Sequence, residues 1–151
     1  MVMIKSKRHF PACLGLAVLT FCGAASPAAS QEPTAKGQLS LELNNLAATD
    51  AGCLATFMVK NGFEKPLEKV AFEIVLFGKT GRVDRMLILD FSPLTVGKTR
   101  VRQFELDGAS CPDISRVLVN DTASCEAEGQ PSRACLQELK TSTPLSVEFG
   151  T

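Results

Sequence analysis

The chain has 151 residues, with 16 basic and 16 acidic side chains, one histidine and neither tryptophan nor tyrosine. Such a length suits one domain with a real core. A balanced charge gives no electrostatic reason to expect nucleic acid or anionic lipid as a partner. The single histidine, His9, lies at the extreme N-terminus, so catalysis built on histidine is excluded for any domain downstream of it.

Residues 1–30 read as an export signal. Met1 to His9 is basic, with Lys5, Lys7 and Arg8 and no acidic residue, and an apolar run from Phe10 to Ala25 follows. The run ends in Ala28-Ala29-Ser30, which suits cleavage before Gln31. Pro11 and Pro27 interrupt it, and it falls short of the roughly 20 residues a spanning helix needs. No stable membrane span is therefore expected after cleavage. Phe21 before Cys22 argues against a lipoprotein, and Lys7-Arg8 is not a twin-arginine motif. Cutting residues 1–30 from 151 leaves 121, in which 13 basic residues face 16 acidic ones for a net charge of −3. The expected location is bacterial, periplasmic or secreted.

Residues 31–38 (QEPTAKGQ) read as a flexible leader, and residues 39–151 as one β-sandwich domain. Its dominant period is two, the signature of half-buried strands. Leu39, Leu41 and Leu43 form the inward row of a first strand, and Cys53, Ala55, Phe57 and Val59 that of a second. Asn61-Gly62 breaks the second strand. Val70, Phe72, Ile74 and Leu76 form a third row. Val83 to Phe91 is a fourth strand, with Leu87, Leu89 and Phe91 on one face and Met86, Ile88 and Asp90 on the other. Thr99 to Leu106 is a fifth, and its slip in parity between Val101 and Phe104 predicts a bulge near Arg102-Gln103. Arg116 to Asn120 is a short sixth strand. Arg133 to Lys140 predicts about two helical turns, and Leu145, Val147 and Phe149 a last strand. About seven strands with one short C-terminal helical turn predict an all-β, antiparallel, immunoglobulin-like sandwich. All strand phenylalanines, Phe77 included, read as core; Phe63 lies in a loop.

Cys13 and Cys22 fall in the signal, which leaves Cys53, Cys111, Cys125 and Cys135. An even number in an exported chain predicts two disulfides, with three connectivities open. A four-thiolate zinc site lacks its C-x-x-C pair, so neither a metal nor a cofactor is expected. In the predicted architecture the second and fifth strands are antiparallel neighbours, which puts Cys53 and Cys111 at one edge. Cys125 and Cys135 bracket a short loop with Gly129 and Pro131. The expected pairs are therefore Cys53–Cys111 and Cys125–Cys135, contributing roughly 4 and roughly 3 kcal/mol on the chain-entropy model.

No catalytic residue is expected. No Gly-x-Ser-x-Gly elbow presents a serine, and the carboxylates Asp84 and Asp90, or Glu126 and Glu128, read as solvated strand ends and a polar loop. Two features point to binding. Lys79, Arg82 and Arg85 lie around one turn and Lys98, Arg100 and Arg102 around another; adjacent strands would gather them into a basic patch, although interleaved acidic residues favour a salt-bridged surface. Phe63, in the Asn61-Gly62-Phe63 turn, is a candidate protein anchor if it stands exposed. Asn120-Asp121-Thr122 fits the N-glycosylation pattern, which is silent in a bacterial host.

The pieces LSLELNNL, CLATFMVKNG, VAFEIVLFGKTGRVDRM, LDFSPLTVGKTRVRQFEL and CPDISRVLVND resemble a group of small exported proteins of alphaproteobacteria. The resemblance covers almost the whole chain after the signal. It implies a periplasmic setting and four structural cysteines, and transfers no active residue. The functional expectation is a non-enzymatic domain that binds another envelope or periplasmic protein. The runner-up is an enzyme inhibitor or stress-protective envelope protein acting through a stapled loop; a histidine-free hydrolase is the remote third reading.

Overall fold

A computed structural model describes residues 37–151; the expected signal (1–30) and most of the leader lie outside the described residues. The fold is all-β, with two sheets facing each other in a sandwich-like arrangement. The strands are β1 (Leu39–Ala48), β2 (Gly52–Asn61), β3 (Lys69–Gly78), β4 (Val83–Asp90), β5 (Thr99–Asp107), β6 (Ile114–Ala127), β7 (Gln130–Pro131), β8 (Leu139–Ser142) and β9 (Glu148–Gly150). The first sheet has the order β5-β2-β1-β8. In the second, β4-β3-β6 continues to β7 at one end of β6 and to β9 at the other.

The period-two rows close on each other. Leu39, Leu41 and Leu43 of β1 and Phe57 and Val59 of β2 meet Val70, Phe72, Ile74 and Leu76 of β3, and all are almost fully buried. Phe57, Phe72, Phe91, Phe104 and Phe149 form a cluster with ring centroids 5.1–6.0 Å apart, mostly edge to face. That geometry places each ring's positive edge on its neighbour's negative face. Gly52 opens β2 because a side chain there has no room: a Cβ would lie 2.7 Å from the Gly108 nitrogen and closer still to the Leu106 oxygen.

Several expectations need correction. The β2–β5 register runs without a shift from Gly52↔Asp107 to Lys60↔Thr99, so there is no bulge near Arg102-Gln103. Instead Val101 faces solvent, and Arg100 and Arg102 occupy the inward row with Phe104 and Leu106. The bulges lie in β1 between Leu43 and Asn45 and in the two strands beside β3, at Asp84 of β4 and at Ser115, Asn120 and Ala123 of β6. β6 runs far beyond Asn120, and the predicted two-turn helix is one turn, α1 (Ala134–Gln137), followed by the unforeseen β8. The sheets are not purely antiparallel, since β8 joins β1 and β9 joins β6 in parallel. No hairpin joins β8 to β9. Residues 143–147 lead from one sheet to the other, and the Thr143 hydroxyl donates to the Leu43 carbonyl at 2.7 Å. Phe77 is outside the core cluster, half-buried with the Arg116 guanidinium 5.4 Å from its ring centre. The end of the leader is not loose: Gly37 N–H donates to Gly62 O, and Gly62 N–H to Gln38 O.

Both expected disulfides are present, Cys53–Cys111 and Cys125–Cys135. The β2–β5 ladder brings Cys53 opposite Leu106, and a 3-10 turn at Cys111–Asp113 returns the thiol to that edge. The strand-adjacency argument therefore holds.

Candidate functional site

β4 and β5 follow each other in sequence and form the free edge of one sheet each. The large apolar side chains that stand exposed among the described residues, Val83, Met86, Ile88, Val96 and Val101, all fall between the start of β4 and the middle of β5. Met86 is 56% and Ile88 64% exposed, on the outer face of β4. The same residues also present backbone. Phe91 N–H donates to Val70 O at 2.8 Å, which sets the phase of the ladder. Closely spaced pairs thus fall at Leu89 and Leu87, and the N–H and C=O groups of Met86 and Ile88 turn to the open side. Long apolar edges of this kind are what folded proteins ordinarily blunt or cover.

The arginines expected to form a patch are divided between structure and surface. Arg85 of β4 donates to the carbonyls of Asp107 and Gly108 at the end of β5, and its Nε pairs with Asp84 at 2.6 Å. Arg102 of β5 donates back to Ser92 O at 2.9 Å and Phe91 O at 3.4 Å, beyond the end of β4. The two form a reciprocal clasp between edge strands that belong to different sheets. Arg100 points inward beside them, and its Nε is buried without a hydrogen-bond partner. Arg82 and Lys98 remain exposed, whereas Lys79 lies 3.7 Å from Asp113. Inward charges on edge strands oppose unlimited strand addition, so this edge combines an apolar outer face with an arginine-closed seam.

Phe63 is half-buried and packs against the core, held there because its N–H donates to Asn61 Oδ1 at 2.9 Å. Among the described residues Asn61 is the buried polar side chain, and its amide donates to Lys65 O and Leu94 O. The carboxylates of the two tested pairs are spent separately. Asp90 accepts Ser92 N–H at 2.8 Å. The Ser92 hydroxyl, then its N–H, hold the Asp90 carboxyl below its ordinary value of 3.8, with Arg102 assisting against partial burial. Glu126 pairs with Lys69 at 3.0 Å and Glu128 with Lys65 at 2.6 Å. Among the described residues no group of three or more His, Cys, Asp and Glu is placed to hold a metal ion. No helix among them is long and apolar enough to cross a membrane.

A cavity of about 490 Å³ lies beside the second disulfide between β6 and α1. Asp121, Thr122, Ser124, Arg133 and Leu136 are among its lining residues. Compared with protein-family models, curated proteins and solved structures, the chain gives no match.

Sequence reasoning missed the exposed row. Met86 and Ile88 were placed on their own face, but a strand apolar on both faces reads equally well as buried between layers. Val101 was assigned inward because valine outranks arginine as a core residue. The arginines themselves were the available signal, since long charged side chains fit an inward row only at an edge.

Proposed function

We propose that this chain is an exported periplasmic domain, not an enzyme, that works by binding another envelope or periplasmic protein through the β4 edge. The observation that carries this reading is the concentration of exposed apolar side chains at Val83, Met86, Ile88 and Val101. Exposed apolar side chains on an edge strand with available backbone groups match strand addition, in which main-chain bonds supply affinity and alternate side chains supply specificity. The separately neutralised carboxylates weigh against the hydrolase alternative. Against the plugging-loop alternative stand the tethers on the second cysteine loop: Lys65–Glu128, Lys69–Glu126 and Gly129 N–H to Glu68. Export is supported by two disulfides and by the basic-apolar-small pattern of residues 1–30.

The immunoglobulin-like architecture is also our proposal. Neighbour relations β5-β2-β1 and β4-β3-β6 correspond to the E-B-A and C′-C-F orders of that fold. The parallel β9 stands where an antiparallel last strand would be. We likewise propose kinship with the small exported proteins of alphaproteobacteria that the sequence resembles.

The test is site-specific photocrosslinking in intact periplasm, with benzoylphenylalanine at Ile88 and, as control, at Glu42 on the other sheet. A discrete adduct from position 88, abolished by Met86→Lys and absent from position 42, is the expected result. Equal adducts from both positions, or none from position 88, would sink the reading.

A further inference from the structure

The second sheet is incomplete along one side of β6. β9 pairs with β6 only from Arg116 to Leu118, and β7 only from Glu126 to Ala127. Between them, Val119 to Cys125 has β3 on one side and no paired strand on the other. This stretch is also irregular: the register shifts twice, leaving Asn120 and Ala123 without a partner on β3. Such bulged residues keep their backbone groups out of the ladder. The phase of β6 is fixed at two points, because Glu126 O accepts from Glu68 N–H and Cys125 O accepts from Ser132 N–H on the opposite side. Plain alternation from these points would face Thr122 to β3, but the unpaired Ala123 reverses the phase. Val70 O is bonded on the β4 side, so Phe72 also faces β4 and its partner Thr122 faces the open side. The Thr122 N–H is taken by the Asp121 carboxylate, and its carbonyl turns to the same open side.

The opposite wall is α1, which contributes Leu136 and Gln137, with Arg133 at its start. The space between is the cavity of about 490 Å³, within the ~300–1,000 Å³ that ligand sites occupy. The Arg133 guanidinium makes no hydrogen bond or ion pair with the described residues, in contrast to those of Arg85 and Arg102. A strand edge, a facing helical wall and an uncommitted guanidinium are the elements of a peptide groove. We propose that the open stretch of β6 binds an extended peptide segment, which adds as a strand in line with β9 and β7 and sets a carboxylate against Arg133. Continuity with the two existing ladders selects a peptide, since only a main chain repeats donors and acceptors at strand spacing. This groove is separate from the β4 edge and stands or falls independently of it.

The probes are fluorescein-labelled heptapeptides of alternating threonine and valine with Glu, Gln or Lys at the centre. Anisotropy with the full, disulfide-intact chain should rank them Glu, then Gln, then Lys, with roughly tenfold between the extremes for one charged hydrogen-bonded pair. Arg133→Glu, an exposed change outside the core, should invert that order. Ala123→Pro should abolish binding of all three, and as Ala123 has no β3 partner its thermal unfolding should stay near that of the parent. Independently of any variant, the Glu peptide should slow deuterium exchange in Val119–Cys125. No binding by any peptide up to about 1 mM, an order indifferent to Arg133→Glu, or protection confined to β4 would overturn the proposal.

Discussion

Asn61 joins two loops: its side-chain amide reaches Lys65 O and Leu94 O, its Oδ1 takes Phe63 N–H, and its backbone carbonyl receives Gly97 N–H at 2.7 Å. Because the residue is fully buried and its bond to Leu94 O is buried too, truncation leaves that carbonyl with no water to replace the amide. Asn61→Ala is expected to lower unfolding free energy by about 3 kcal/mol in urea titrations, and Asn61→Asp by no less, since it exchanges two donors for a charge. Asp90 gives a pH signature of the opposite exposure. Its folded pKa is depressed, so its contribution is complete above the ordinary 3.8 and disappears as pH falls through the folded value. Asp90→Asn should therefore be less stable than the parent at neutral pH, and the two Tm values should converge below that pH. A constant difference down to pH 2 would contradict the assignment.

At the scale of elements, the open seam between β4 and β5 depends on side chains, because the two strands do not share a ladder. Arg85 and Arg102 cross the seam in opposite directions, and replacing either with Met keeps the aliphatic stem while stranding carbonyl acceptors. Each such variant should lose about 1–2 kcal/mol, with faster deuterium exchange at the facing strand ends as the local readout. The disulfides act on the unfolded chain instead. Cys53 and Cys111 are 58 positions apart and Cys125 and Cys135 only 10, so removing the first pair as Cys53→Ala/Cys111→Ala should cost the more, about 4 against about 3 kcal/mol. An equal or reversed ranking by equilibrium denaturation would show that native packing, not loop closure, dominates.

For the molecule as a whole, the faces of β1 to β4, the disulfide partners and the all-β class were legible in the sequence, while the faces of β5, the edges and the gaps were not. Alternation at Leu39-Leu41-Leu43 and at Val70-Phe72-Ile74-Leu76 names its own buried face, as period two leaves one choice once a core exists. The cysteine pairing followed because β2 and β5 neighbour each other in a two-sheet fold. Exposure on the other face is a different quantity. It depends on which strand ends a sheet, and Met86, Ile88 and Val101 became a surface only when β4 and β5 took the edges. The groove on β6 is further removed from sequence, since it exists because β7 and β9, far apart in the chain, stop short of one another on the same strand. Local pattern thus determined what β1 to β4 bury, through the geometry of successive side chains. Only the tertiary structure decided what the molecule leaves uncovered, because an uncovered edge is set by the strands that do not arrive.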